Sequence, residues 1–322
     1  MGAVIGAACA ALPAAARAHE SVDIVEMVST LDTLASTQPS QTPPSQDTRP
    51  VAPAARVGVL CEKRDCGIER DWLTRRTSAA AGWAVGGVAA VLVLALGVEA
   101  CIWRNGVFAD GTLALALLAA SIFLRGAIGA QTGNTDAEYK AAMALAYIAG
   151  IELAYVLGVL AIRLHLHFHP LALTKRAVAE AVARLAAVGL AALVVVGSVL
   201  MFDTRIAYPG TGIRLVQAAL IAVATACVGL AVLVASTTRC AGAAYYRRHY
   251  TVLAAGLLLV VLWAAFAGAR TLLALDNPVR DSPITLYLLG YAPLMAAGAV
   301  FIVFKAPLYF NFELTAQWGF GH

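Results

Sequence analysis

Seven long apolar stretches constrain this chain more than any other feature: 79–103, 111–130, 141–163, 181–202, 212–236, 251–275 and 284–304. A bilayer core about 30 Å thick is crossed by a helix of roughly 20 such residues. The stretches are apolar on all faces and lack the polar stripe of a surface helix. They are too long for strands, and the ten-residue alternation of a membrane β-barrel is absent. The expected fold is therefore all-α, a polytopic bundle of seven transmembrane helices. Composition agrees: 61% of residues are hydrophobic and 13% charged, where a soluble domain has about 45–50% and 25%. Short breaks hold the expected turn residues, among them Arg104-Asn105-Gly106, Tyr208-Pro209-Gly210 and Asn277-Pro278. Seven crossings put the ends of the bundle on opposite sides. No internal repeat points to an inverted-repeat transporter.

The expected organisation is an N-terminal region, 1–78, a membrane domain, 79–307, and a short tail, 308–322. Residues 1–18 are alanine-rich and end in small residues like a signal peptide, but lack its basic start. Val22, Val25, Val28, Leu31 and Leu34 recur every three residues, which predicts a short amphipathic helix. Residues 36–53, rich in Ser, Thr, Pro and Gln, read as a disordered stalk-like linker. Cys61 and Cys66 bracket four charged residues just before the first span. They read either as a small disulfide in an oxidising compartment or as two unrelated thiols. Cys101 and Cys227 read as small core residues, and Cys240 as a weak palmitoylation site.

Orientation rests on lysines and arginines near the span ends. Nine bases (Arg104, Arg163, Lys175, Arg176, Arg184, Arg239, Arg247, Arg248, Lys305) fall on the side where the seventh span ends. Five (Lys140, Arg205, Arg214, Arg270, Arg280) fall on the other. Five more, Lys63, Arg64, Arg70, Arg75 and Arg76, precede the first span and make the count ten against nine. The loop bias and the stalk composition favour an outside N-terminus and a cytoplasmic C-terminus, in a plasma membrane or endomembrane.

Ionisable residues inside spans normally face the bundle interior or a wet cavity. Glu152 lies near the middle of the third span, with Arg125 late in the second and Arg270 late in the sixth. Chain parity puts both arginines near one membrane face, and the expected partner of Glu152 is Arg125 or Arg270. Either the three line a cavity for an anionic lipid head group or a proton relay, or they form a fixed ion pair with snorkelling arginines. His165, His167 and His169 close the third span before Pro170. They are weak candidates for zinc or copper, and the reading taken is interfacial histidines without a metal. Tyr245, Tyr246, Arg247 and Arg248 read as interface anchors touching anionic lipid. Trp83, Trp103, Trp263 and Tyr309 read as interface aromatics by the same logic.

Arg125 with Gly126 and Gly129, the third-span ending Gly158-Val159-Leu160-Ala161-Ile162-Arg163, and Arg270 before the Ser282-Pro283 start of the last span resemble fungal seven-helix families. These are the RTA-like, lipid-translocating-exporter-like proteins and a neighbouring family of unknown function. The resemblance covers roughly 79–304 and implies lipid movement or resistance to toxic amphiphiles. Tyr291-Ala292-Pro293-Leu294 departs from it, since an acidic residue is expected there.

The expected function is binding or translocation of a lipid or other amphiphile. The alternative is a seven-helix receptor signalling through its cytoplasmic loops. No catalytic set assembles: Ser198 lacks the flanking glycines of a nucleophile elbow, and no phosphate-cradling loop is present. The chain is therefore read as no enzyme and as needing no cofactor. The thinly spread net charge of +4 gives no nucleic-acid footprint. Membrane lipids are the expected partners, with an amphiphile as ligand; the sequence does not set an oligomeric state.

Overall fold

A computed structural model describes residues 79–130, 136–168, 173–202, 209–238, 246–272 and 282–310. Among them every regular element is helical: α1 (Ala79–Ile102), α2 (Gly106–Ala130), α3 (Asp136–Phe168), α4 (Leu173–Phe202), α5 (Pro209–Thr237) and α6 (Arg247–Leu272). The seventh helix, α7, joins Pro283–Thr285, a π-helical stretch Leu286–Tyr291 and Ala292–Val303. A short α8, Ala306–Tyr309, follows. Seven of these helices are long and apolar enough to cross a bilayer. The chain is thus an all-α, multi-pass integral membrane protein.

Several helices outrun the apolar stretches that announced them. α4 begins at Leu173, α3 at Asp136 and α2 at Gly106. Hydropathy marks the part of a helix that sits in hydrocarbon, whereas backbone hydrogen bonding continues through charged turns into the head-group region. Residues 1–78, with the amphipathic stretch, the linker and the Cys61–Cys66 pair, lie outside the described residues, as do His169, Cys240, Tyr245 and 311–322.

Helix α3 is the axis of the bundle and packs on α2, α4, α5 and α6. Two-thirds of its most apolar window (67%) is buried, against 22% for α1 and for α4. α7 closes the bundle against α6, α1 and α2. The outer faces are left to lipid: Val91, Leu94 and Val98 on α1, and Val182 and Leu185 on α4, are exposed. Cys101 belongs to this outer surface and not to the core. The reason is that α1 packs chiefly against α2 and α7, so its far side has no protein neighbour.

Lipid tails are as apolar as leucine, so membrane helices associate through close fit of small residues. Gly82 on α1 and Gly126 on α2 meet so closely that a Cβ on Gly82 would overlap the Gly126 backbone. Gly150 on α3 likewise accepts the indole of Trp263, where even a methyl group would collide with the ring. Trp263 is 2% exposed, so it is a core residue and no interface anchor. A glycine opposite it lets a large ring sit between α3 and α6.

Local sequence also explains the π stretch in α7. Pro293 has no N–H and cannot bond the carbonyl four residues back. The preceding turn widens, and the Ala292 N–H bonds the Tyr287 carbonyl, five residues back. In this wider turn Leu286, Gly290 and Tyr291 share one face, and that face looks inward. Leu286, Gly290 and Tyr291 are all buried.

Candidate functional site

One cavity lies where α2 and α6 end and α3 and α7 begin. Its lining includes Arg125 from α2, Met143, Ala146 and Tyr147 from α3, Trp263, Phe266 and Arg270 from α6, and Gly290 and Tyr291 from α7. On α3, Met143, Ala146, Tyr147 and Gly150 repeat at helical spacing and form the wall facing α6 and α7. Arg125 is 2% exposed. It does not snorkel as the ion-pair alternative required, because α3 and α7 cover it with aromatic rings. Its guanidinium lies 5.0 Å from the Tyr139 ring centre and 5.9 Å from that of Tyr291. Cation–π contacts of this kind are worth about 2 kcal/mol when desolvated. Its Nε has no hydrogen-bond partner.

The tyrosines are themselves fixed. Ser121, one turn before Arg125, donates to the Ala142 carbonyl at 2.6 Å and lies 3.2 Å from the Tyr291 hydroxyl. This ties α2 to α3 and α7 and sets the ring over Arg125. Tyr147 packs on Trp263 with ring centres 6.4 Å apart. Arg270 enters from the last turn of α6, where the helix dipole favours a cation. Thr271 beside it accepts from Gln217 Nε2 at 3.0 Å, fastening that helix end to α5. No carboxylate lines the cavity among the described residues.

Glu152 is buried, at 7% exposure, but it does not reach this cavity. Its partner is Arg184 on α4: Nη1 donates to Oε2 at 2.6 Å. The expected pairing with Arg125 or Arg270 is thereby corrected. Each residue turns a helix by about 100°, so Glu152, two residues past Gly150, points about 200° away from the cavity wall and toward α4. Arg184 also lies 3.8 Å from Asp110 on α2 and 4.8 Å from the Tyr155 ring centre. Farther along the same seam Arg163 forks onto Glu180 at 2.9 and 3.1 Å, and Arg176 joins Glu180 at 3.1 Å. Three acids and three arginines thus balance along a seam of about 16 Å. Left alone in hydrocarbon, a single charge costs roughly 3 kcal/mol or more, so the pairing is what permits the seam.

At the opposite face from the cavity, a polar and aromatic cluster fastens α8. His249 Nε2 donates to the Tyr309 carbonyl at 2.9 Å, and Asn105 Nδ2 to that of Pro307 at 3.3 Å. Arg248 donates to the Tyr309 hydroxyl, and its guanidinium lies 5.2 Å from that ring's centre. His167 Nε2 meets the Tyr246 hydroxyl at 2.5 Å. Among the described residues no three histidines, cysteines or carboxylates converge on a metal position. Arg247 is exposed at the start of α6.

Arg184, Asp110, Tyr139 and Tyr291 are the site residues that the sequence did not single out. Arg184 had a signal: Arg176, Glu180 and Arg184 recur every fourth residue, which puts them on one helix face. The tyrosines had none, since aromatic residues are common in spans. No protein-family model, no curated protein and no solved structure matches the chain.

The Glu152 geometry sets a stability expectation. Glu152→Gln should lower stability in detergent by about 1–3 kcal/mol, the cost of a charged partner left unsatisfied. Adding Arg184→Met should recover part of that loss, because the two changes act on one contact. Thermal unfolding of the single and double variants in micelles checks this; additive losses would separate Glu152 from Arg184 energetically.

Proposed function

We propose that the protein binds the acidic head of an amphiphile in the Arg125–Arg270 cavity and so takes part in holding or moving lipid-like molecules. The observation that carries this reading is a buried guanidinium with an unpartnered Nε, in a cavity with a second arginine and no described carboxylate. Arginine stays charged in proteins, and a buried charge is normally paired. Aromatic rings supply part of that compensation, and an anion would supply the rest. The π turn at the cavity wall supports the reading, because such bulges are frequent at functional sites.

The resemblance to RTA-like and neighbouring seven-helix proteins gives the same direction. In the stretch Tyr291-Ala292-Pro293-Leu294, where that likeness expects an acidic residue, this chain has none, and Tyr291 stands over Arg125. No carboxylate from that stretch occupies Arg125, whose Nε is left for an outside anion. Orientation follows the loop bias, so the cavity faces the outer side and the last helix ends in the cytoplasm. Three of the nine bases behind that bias, Arg163, Arg176 and Arg184, are held in ion pairs, yet they remain on the same side. A glycosylation reporter fused after His322 should stay unmodified; a glycosylated reporter would reverse the orientation.

Native mass spectrometry of the full-length protein, purified in a neutral detergent, tests the binding reading. The expected result is a retained acidic amphiphile that is depleted at least tenfold in Arg125→Gln. An unchanged adduct in that variant, with helicity intact, would remove Arg125 from ligand binding.

A further inference from the structure

The space beside Arg125 narrows the ligand class. Water centres fit into ≈ 30 Å³ of the cavity, about the room of two waters. The walls give little more, because Tyr147, Trp263, Leu286 and Tyr291 are all buried and packed. A carboxylate brings two oxygens on one planar carbon and takes the place of two waters. A phosphate brings four oxygens around a tetrahedral centre and needs about twice that room.

The unpartnered Nε of Arg125 favours the same choice. Tyr139 and Tyr291 stack on the guanidinium, and the Tyr139 hydroxyl accepts one of its N–H groups, while Nε has no partner. Two parallel N–H bonds from one guanidinium edge are the standard fit for a planar carboxylate. Arg270 in the lining adds a second positive charge. Ala146 and Phe266, both only partly buried, give the cavity an apolar rim past which a hydrocarbon chain can leave.

Resting on the reading that the cavity takes an anion, we propose that the anionic group is a carboxylate, carried by a single-chain fatty acid or by a small free acid. The probes are palmitate, acetate, hexadecyl phosphate and hexadecanol. Each competes for radiolabelled palmitate on the full-length protein in phosphatidylcholine nanodiscs. Palmitate should saturate one site, with hexadecyl phosphate at least tenfold weaker. Arg125→Lys, which keeps the charge and loses the edge, should weaken palmitate at least tenfold. Ala146→Leu, which fills the cavity and leaves both arginines, should abolish binding while helicity and melting stay unchanged. Acetate competing as well as palmitate would assign the site to a free acid; acetate failing to compete would assign it to a fatty acid. Hexadecyl phosphate binding as tightly as palmitate would overturn the carboxylate assignment and leave the anion reading standing. Hexadecanol binding as tightly as palmitate, with Arg125→Lys without effect, would overturn the anion reading itself.

Discussion

A guanidinium with almost no exposure, inside a largely apolar bundle, sets the terms for the rest of this structure. Arg125 cannot shed its charge, and in hydrocarbon it needs neighbours that accept it. The bundle answers with ring faces. Ser121 holds Tyr291, the proline-induced π turn delivers Tyr291 inward, and the start of α3 supplies Tyr139. Close helix contacts at Gly82–Gly126 and Gly150–Trp263 then keep the walls rigid enough to define a small cavity.

Helix α3 separates two kinds of electrostatics. One of its faces, through Met143, Ala146 and Tyr147, borders a cavity lined by Arg125 and Arg270. Its other face, through Glu152, Tyr155 and Arg163, borders a seam on α4 in which charges balance. The seam is satisfied by the chain itself, so it fastens helices. In the cavity the Nε of Arg125 is left without a partner among the described residues, and the proposed ligand would meet it there. The proposed ligand site therefore lies on the face where the chain leaves a buried Arg125 Nε without a partner.

The seven crossings were legible because hydrocarbon tolerates few alternatives to a long apolar helix. That Arg125 and Glu152 are covered by protein was legible for the same reason, since charge inside a span is costly. Their grouping was not. Sequence position gives depth along a helix, whereas partnership depends on rotation, and Glu152 is turned toward α4 by its register against Gly150. Arg184 was counted among the bases at a span end because the apolar run on α4 begins only three residues before it, at 181, whereas the helix itself starts eight residues earlier, at Leu173, and carries Arg184 well inside the bundle. Trp263 was taken for an interface anchor because nothing local reveals that Gly150, more than a hundred residues earlier, clears a place for its ring.

The central claim is that Arg125 is completed by a molecule from outside the chain. Cryo-electron microscopy of the full-length protein in native-lipid nanodiscs tests it most directly. Non-protein density is expected within hydrogen-bond distance of Arg125 Nε, continuing toward Phe266. A carboxylate of the chain itself bonded to that nitrogen, with the cavity closed, would contradict it.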